Sequence, residues 1–285
     1  MVISMEEWQQ MQKAADDSAP EIEQVFTQAA EVTATAIVLK EISEALETGN
    51  TAAAEEVINW ELFAAELAAA TLIITNIVQK NGNNAANSLN SKFKLNTRFD
   101  LLNPYVVEWI KENSGDMITQ ITDESRKAIR AIILDAYQSG RHPYKTAREI
   151  RQYIGLTERG ANAVLNYRKR LESDGKLSPV RIDELTKQYS ERLIKDRAVM
   201  IARTESIKAS NAGQQLLWED AARNGLINLS TAYKKWIVTP DDRLCPVCRA
   251  MKGETVPLNS QFSGGVDHAP RHPRCRCSMS LVNKR

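Results

Sequence analysis

The chain has 285 residues and only four cysteines, and all four fall between residues 245 and 277, together with two of its three histidines. Cys245 and Cys248 form a C-x-x-C pair, and Cys275 and Cys277 form a C-x-C pair. His272 stands three residues before Cys275 and His268 four before that. Thiolates three residues apart on a tight knuckle can reach one tetrahedral ion, and a second pair from another loop can close its shell. The five donors Cys245, Cys248, His272, Cys275 and Cys277 compete for the four positions of a zinc site, so one of the last three would stand outside it. Disulfides and plain thiols in a small core are the competing readings, and a reducing compartment argues against the first. A catalytic zinc keeps an open position and a neighbouring base. Glu254 and Asp267 lie between the pairs without diagnostic spacing, and neither H-E-x-x-H nor H-x-E with P-C-x-x-C occurs. The pattern therefore predicts a closed, structural ion that holds a segment with too little apolar side chain to fold alone.

The elements that must position this cluster are mostly helical. Composition is that of a soluble globular chain, 43% apolar and 26% charged. No basic region followed by an apolar run opens the sequence, and the apolar stretch "LFAAELAAATLII" is interrupted by Glu66, so no secretory signal and no membrane span are expected. A helix is predicted to begin at Pro20 and end near Gly49-Asn50, and an alanine-rich run to end at Asn81-Gly82. Residues 81–95 read as a linker. Helices resume after Pro104, with Ile118, Ile121, Ile129, Ile132 and Ile133 on one face. Two short helices flank Gly155-Leu156-Thr157, and a long one follows Pro179 up to Asn224-Gly225, whose glycine suits a left-handed cap. Only then do strands appear, at "AYKKWIVTP" and "GETVPL". The expected fold is mainly α: helical N-terminal and middle regions, then a small α+β C-terminal module with a short, zinc-stabilised hairpin. The expected domains are an acidic helical arm or hairpin over 1–90, a helical middle region over 91–185, and the Cys/His module over 186–285. The alanine-rich helices offer a surface for self-association.

The net charge of +1 hides opposed halves: residues 1–100 sum to −9 and residues 101–285 to +10. A basic C-terminal part beside nucleic acid is one reading of this skew, and ordinary solvated helix faces are the other. Arg271, Arg274, Arg276, Lys284 and Arg285 are the candidate sequence-independent phosphate contacts; they could equally frame the cysteine loop. Arg203 and Glu205 point apart on a helix and cannot converge on one ligand, so a structural ion pair is expected of them. Residues 145–170, with Gly155 in a turn and a second helix ending Arg168-Lys169-Arg170, have the outline of a helix-turn-helix. Arg151, four positions before Gly155, occupies the place where a tight crossing needs a small residue. A DNA-binding regulator using this segment is the alternative function, and a zinc-dependent enzyme a weaker one.

The segments "IARTESIKASNAGQ", "KKWIVTPDDRLCPVCRAMKGETVPL" and "HPRCRC" together resemble the phage head morphogenesis family, the minor head proteins similar to protein F of phage Mu. The resemblance rests on Ala202 to Glu205, Trp236, Asp241 or Asp242 with Arg243, Cys245, Cys248, Gly253, Pro257, His272, Cys275, Arg276 and Cys277. It covers roughly residues 190–282, and the first 90 residues carry no matching motif. It implies a non-catalytic, low-copy virion protein inside the capsid near the portal, made in the host cytoplasm during assembly. Such proteins act in procapsid assembly and in DNA packaging or delivery. The implied partners are portal and capsid proteins and packaged double-stranded DNA, bound without sequence preference. Some members are fused to toxin domains, and none is expected here.

Overall fold

A computed structural model describes residues 5–239 and 244–283. The chain is 68% helical with one small antiparallel sheet near the C-terminus. The helices are α1 (Met5–Ala36), α2 (Leu39–Glu47), α3 (Thr51–Glu56), α4 (Trp60–Leu67), α5 (Ala70–Phe93), α6 (Pro104–Gln138), α7 (Pro143–Ile150), α8 (Glu158–Asp174) and α9 (Pro179–Arg223). Strand β1 (Ala232–Ile237), the short helix α10 (Pro246–Ala250), β2 (Thr255–Pro257) and β3 (Ser278–Asn283) complete the described elements. The chain forms two compact units, each built from separated segments. The first takes in residues 1–22, 71–112 and 200–285; the second takes in 23–70 and 113–199.

In the first unit β1 is the central strand, antiparallel to β2 on one side and β3 on the other. Trp236 on β1 is fully buried, and its ring meets Phe262 edge-on at 5.1 Å. Around them pack Leu89 of α5, Leu217 and Trp218 of α9, and Met279 of β3, with Cys248, Cys275 and Cys277 in the same core. The sequence supplies β1 and β2 but not β3. The serines of "SMSLVN" occupy buried positions, and Ser278 Oγ satisfies itself on Asn211 Oδ1 at 3.1 Å, so no apolar alternation marks the strand.

Several residues read as punctuation are used for packing instead. Pro20 lies inside α1 rather than at its start. Met11, Ala14 and Ala15 before it and Ile22 and Phe26 after it are buried along one helix, which offsets a local cost of about 3 kcal/mol for an interior proline. The expected stop near Gly49-Asn50 is found, since α2 ends at Glu47 and the Gly49 and Asn50 amides bond back to Leu46 and Ala45; the Asn50 side chain then accepts the Ala53 amide at 3.0 Å and starts α3, as Asn59 starts α4. The expected stop at Asn81-Gly82 and the linker behind it are helix up to Phe93. Asn81 is buried and donates to the Ile77 carbonyl and to Ser210 Oγ at 2.9 and 3.2 Å. A Cβ on Gly82 would sit 2.3 Å from the Phe99 ring, so the glycine makes room for that ring. The stretch Thr51–Phe93 also holds a window apolar enough, by length and composition, to cross a membrane. It is interrupted between α3 and α4 and again before α5, and it sends Trp60, Phe63, Leu67, Ile74 and Val78 into protein cores.

The second unit is organised by buried charges, one a cation and one an anion. Arg197 of α9 donates to the Gly155 carbonyl at 2.6 Å and to Ser125 Oγ at 3.1 Å, and pairs with Glu124 at 2.7 Å. Glu55, buried in α3, takes Arg126 at 2.7 Å and Arg130 from α6. Burial alone would raise the Glu55 carboxyl, but its hydrogen bonds to Arg130 and Arg126 outweigh this and hold it below the ordinary value. A carboxylate lowered in the folded state stabilises above the unfolded value, and that contribution is lost as pH falls through the lowered one. Glu55→Gln is therefore expected to cost about 1.5–3 kcal/mol near neutral pH, the range for hydrogen bonds to charged groups. The difference from the parent should close as pH is lowered through the acid range in denaturation measurements.

Candidate metal centre

Local backbone geometry builds the first half of the centre. Cys245 caps α10 and Pro246 takes its first turn, so the Cys248 amide points at Cys245 Sγ, 3.3 Å away. Cys248 follows on the same turn and is buried. The second half is the His272–Cys277 loop. There the Cys275 amide bonds back to the His272 carbonyl at 3.1 Å, and Arg274 takes a left-handed φ of 62°. This brings His272 Nε2 to 3.0 Å from Cys245 Sγ and 3.1 Å from Cys248 Sγ, and Cys248 Sγ to 3.6 Å from Cys275 Sγ.

All five expected donors converge, as two triads that share Cys248: Cys245 with Cys248 and His272, and Cys248 with Cys275 and Cys277. Within each triad the donor atoms lie within 4.8 Å of one another. The four thiols are unbridged, so the disulfide reading is not the arrangement found. A zinc ion with sulfur at ~2.3 Å and nitrogen at ~2.0 Å has ligand atoms roughly 3.5–3.8 Å apart, close to these spacings. The imidazole is oriented for a metal. His272 Nδ1 lies 2.8 Å from the Pro273 carbonyl, and a proton held there leaves the Nε2 lone pair facing the sulfurs. Soft thiolates with one imidazole and no carboxylate suit a zinc-like ion.

The electrostatics are those of thiols crowded without a counter-charge. Hydrogen bonding from Cys277 brings the Cys275 thiol down to about 5, against the push of burial. Burial drives Cys248 up to about 12, with the neighbouring Cys275 adding to it. Cys277 is raised by its bond to Cys275 and by burial. Burial also pushes Cys245 up, but the Cys248 amide and His272 more than offset it and leave it lowered. One divalent cation would relieve the whole group.

Among the described residues no carboxylate joins either triad. Glu254 is engaged by the Ser263 amide and hydroxyl at 2.6 and 2.8 Å. The Asp267 carbonyl takes the buried Lys234 ammonium at 2.7 Å, which Gln215 Oε1 also accepts at 3.3 Å. His268 lies apart from both triads, with its ring 6.0 Å from Trp109.

Three ties to this centre were not legible beforehand. Thr204, between Arg203 and Glu205, accepts the Arg274 amide at 3.2 Å through its hydroxyl, which itself donates to Met200. The Arg276 carbonyl accepts from Trp8 Nε1 and Gln12 Nε2 of α1, both at 3.3 Å, and from Thr239 Oγ1 at 3.2 Å. Arg203 pairs with Asp16 at 3.1 Å, and Glu205 is also engaged. Arg271 and Arg274 are exposed and Arg276 is half-buried. Lys284, Arg285 and the Asp241–Arg243 turn lie outside the described residues.

The helix-turn-helix outline corresponds to α7 and α8, but two of the three cations at its basic end are already engaged. Arg168 is buried among Glu149, Glu172 and Asp183, and Lys169 pairs with Asp135. Arg151 donates to the Ile37 carbonyl instead of leaving room for a crossing.

No curated protein and no solved structure matches the chain. Residues 180–280 match the family described as Phage Mu protein F like protein. That span runs from the start of α9 through both cysteine pairs, the Trp236 strand and the threonine that ties them, so the likeness to phage Mu protein F-like proteins covers the part of the chain that carries the candidate centre.

Proposed function

We propose that the chain is a minor head protein of a phage, located in the capsid interior near the portal and acting without catalysis in procapsid assembly and DNA packaging or delivery. The family match over 180–280 carries this reading. The site supports it: five metal donors are gathered beside a core and tied to α1 and α9 through Arg276 and Thr204. In this reading Cys245, Cys248 and His272, with Cys275 or Cys277, hold one structural zinc. The ion would supply cross-linking alone, pinning the His272–Cys277 loop to α10. Portal and capsid proteins are the partners in the host cytoplasm during assembly. Arg271, Arg274 and Arg276, with Lys284 and Arg285, face packaged duplex DNA. The N-terminal helices provide a self-association surface. Co-expression with the portal and capsid proteins tests the assignment. The chain is expected to co-sediment with the particles, in fewer copies when portal is omitted, and free chain alone at the top of the gradient would refute it.

A further inference from the structure

The second unit presents a row of aromatic and cationic side chains across α8 and α9. Tyr167 of α8 and Tyr189 of α9 meet edge-on, with ring centroids 4.9 Å apart and planes at 60°. Arg170 lies over the Tyr167 ring at 5.4 Å and Arg192 over the Tyr189 ring at 4.9 Å. Both arginines are exposed, and neither is in an ion pair among the described residues. Their neighbours differ. Arg181 pairs with Glu184 at 2.8 Å, Lys187 with Glu191 at 3.7 Å and Arg168 with Glu172 at 2.9 Å. Nearby carboxylates are thus largely engaged, and two guanidiniums on fixed aromatic supports are left with free donors. A guanidinium held over a ring loses little rotamer freedom on binding, and its planar donors match phosphate oxygens.

We infer that the Arg170–Tyr167–Tyr189–Arg192 row is a docking surface for the sugar-phosphate backbone of duplex DNA. This inference rests on the reading that the chain lies beside packaged DNA, and it places contacts on α8 and α9 in addition to the C-terminal arginines. The rings do not read bases. Each carries an arginine over it and the two meet at an angle, so no open stacking platform for an unpaired base remains. The surface is therefore sequence-independent, and its energetics are those of counterion release.

The test is binding of the full chain to a short random-sequence duplex across a salt series, with Arg170→Gln/Arg192→Gln beside Arg271→Gln/Arg274→Gln. The slope of log affinity against log salt should shrink by about one for each arginine lost from a phosphate, so by about two for the Arg170/Arg192 pair, while thermal melting stays at the parent value. Arg170→Lys/Arg192→Lys should keep most of the slope. An unchanged slope in Arg170→Gln/Arg192→Gln overturns the inference, and if the Arg271/Arg274 pair alone shifts it, the DNA reading stands without this surface. A parent chain that enters particles but binds no duplex overturns the inference and leaves the assembly role intact.

Discussion

Gly213→Ala is expected to destabilise the first unit by about 3 kcal/mol or more, at the upper end of overpacking costs, although helix propensity alone favours alanine by ~1 kcal/mol. Gly213 lies in α9 where α9 crosses α5. A Cβ there would sit 2.3 Å from the Val78 carbonyl oxygen and 3.0 Å from the Gly82 amide nitrogen. Both atoms belong to backbone, so no rotamer change relieves the clash and the helices must separate. Separation would uncover the small and polar residues that let them approach, among them Ala209, Ser210 and Ala212, all buried. Gly115 in α6 is the control. A Cβ there meets nothing within 4 Å, and Gly115→Ala should stabilise by roughly 0.5–1 kcal/mol. Denaturation curves of the two variants should thus move in opposite directions; a Gly213→Ala protein that melts with its parent would contradict the α5–α9 contact.

Cys248→Ser is expected to be the most damaging substitution in the metal centre, because Cys248 is the one donor common to both triads. Loss of a structural metal belongs to the short list of changes that cost more than ~4 kcal/mol. The effect should be read as loss of bound ion together with exposure of Trp236, which shares a core with Cys248, Cys275 and Cys277. Cys277→Ser should cost less, since Cys245, Cys248, His272 and Cys275 still offer four donors. A chelator should reproduce the Cys248→Ser phenotype in the parent protein and leave Cys248→Ser unaffected. Equal losses for the two serine variants would mean that both triads are needed, and no loss for either would mean that the core holds without an ion.

The donors of the centre were readable from the sequence because ligand spacing on a knuckle is a local property: two thiols three positions apart on a turn suffice. The supports of the centre were not, because they are long-range. Nothing in "ARTE" says that Thr204 will receive the Arg274 amide, and nothing in the first helix says that Trp8 and Gln12 will hold the Arg276 carbonyl. The long helices α6 and α9 and the strands β1 and β2 follow from periodicity and from Pro and Gly at their ends. The errors fall on residues whose usual role was displaced by packing. Pro20 is carried inside α1, the run from Pro20 to Gly49 is broken between α1 and α2, and Asn81 and Gly82 serve a hydrogen bond and an aromatic contact inside α5. β3 was hidden for the opposite reason, since its buried serines, Ser278 bonded to Asn211 among them, look like loop.

Metal analysis of the purified full chain, paired with thiol titration in the native state, decides whether an ion holds the C-terminal module. One zinc per chain is expected, with cysteines protected from reagent until a chelator is added and the Trp236 environment lost when the ion leaves. A metal-free chain whose four thiols react freely while the sheet module stays folded would contradict it.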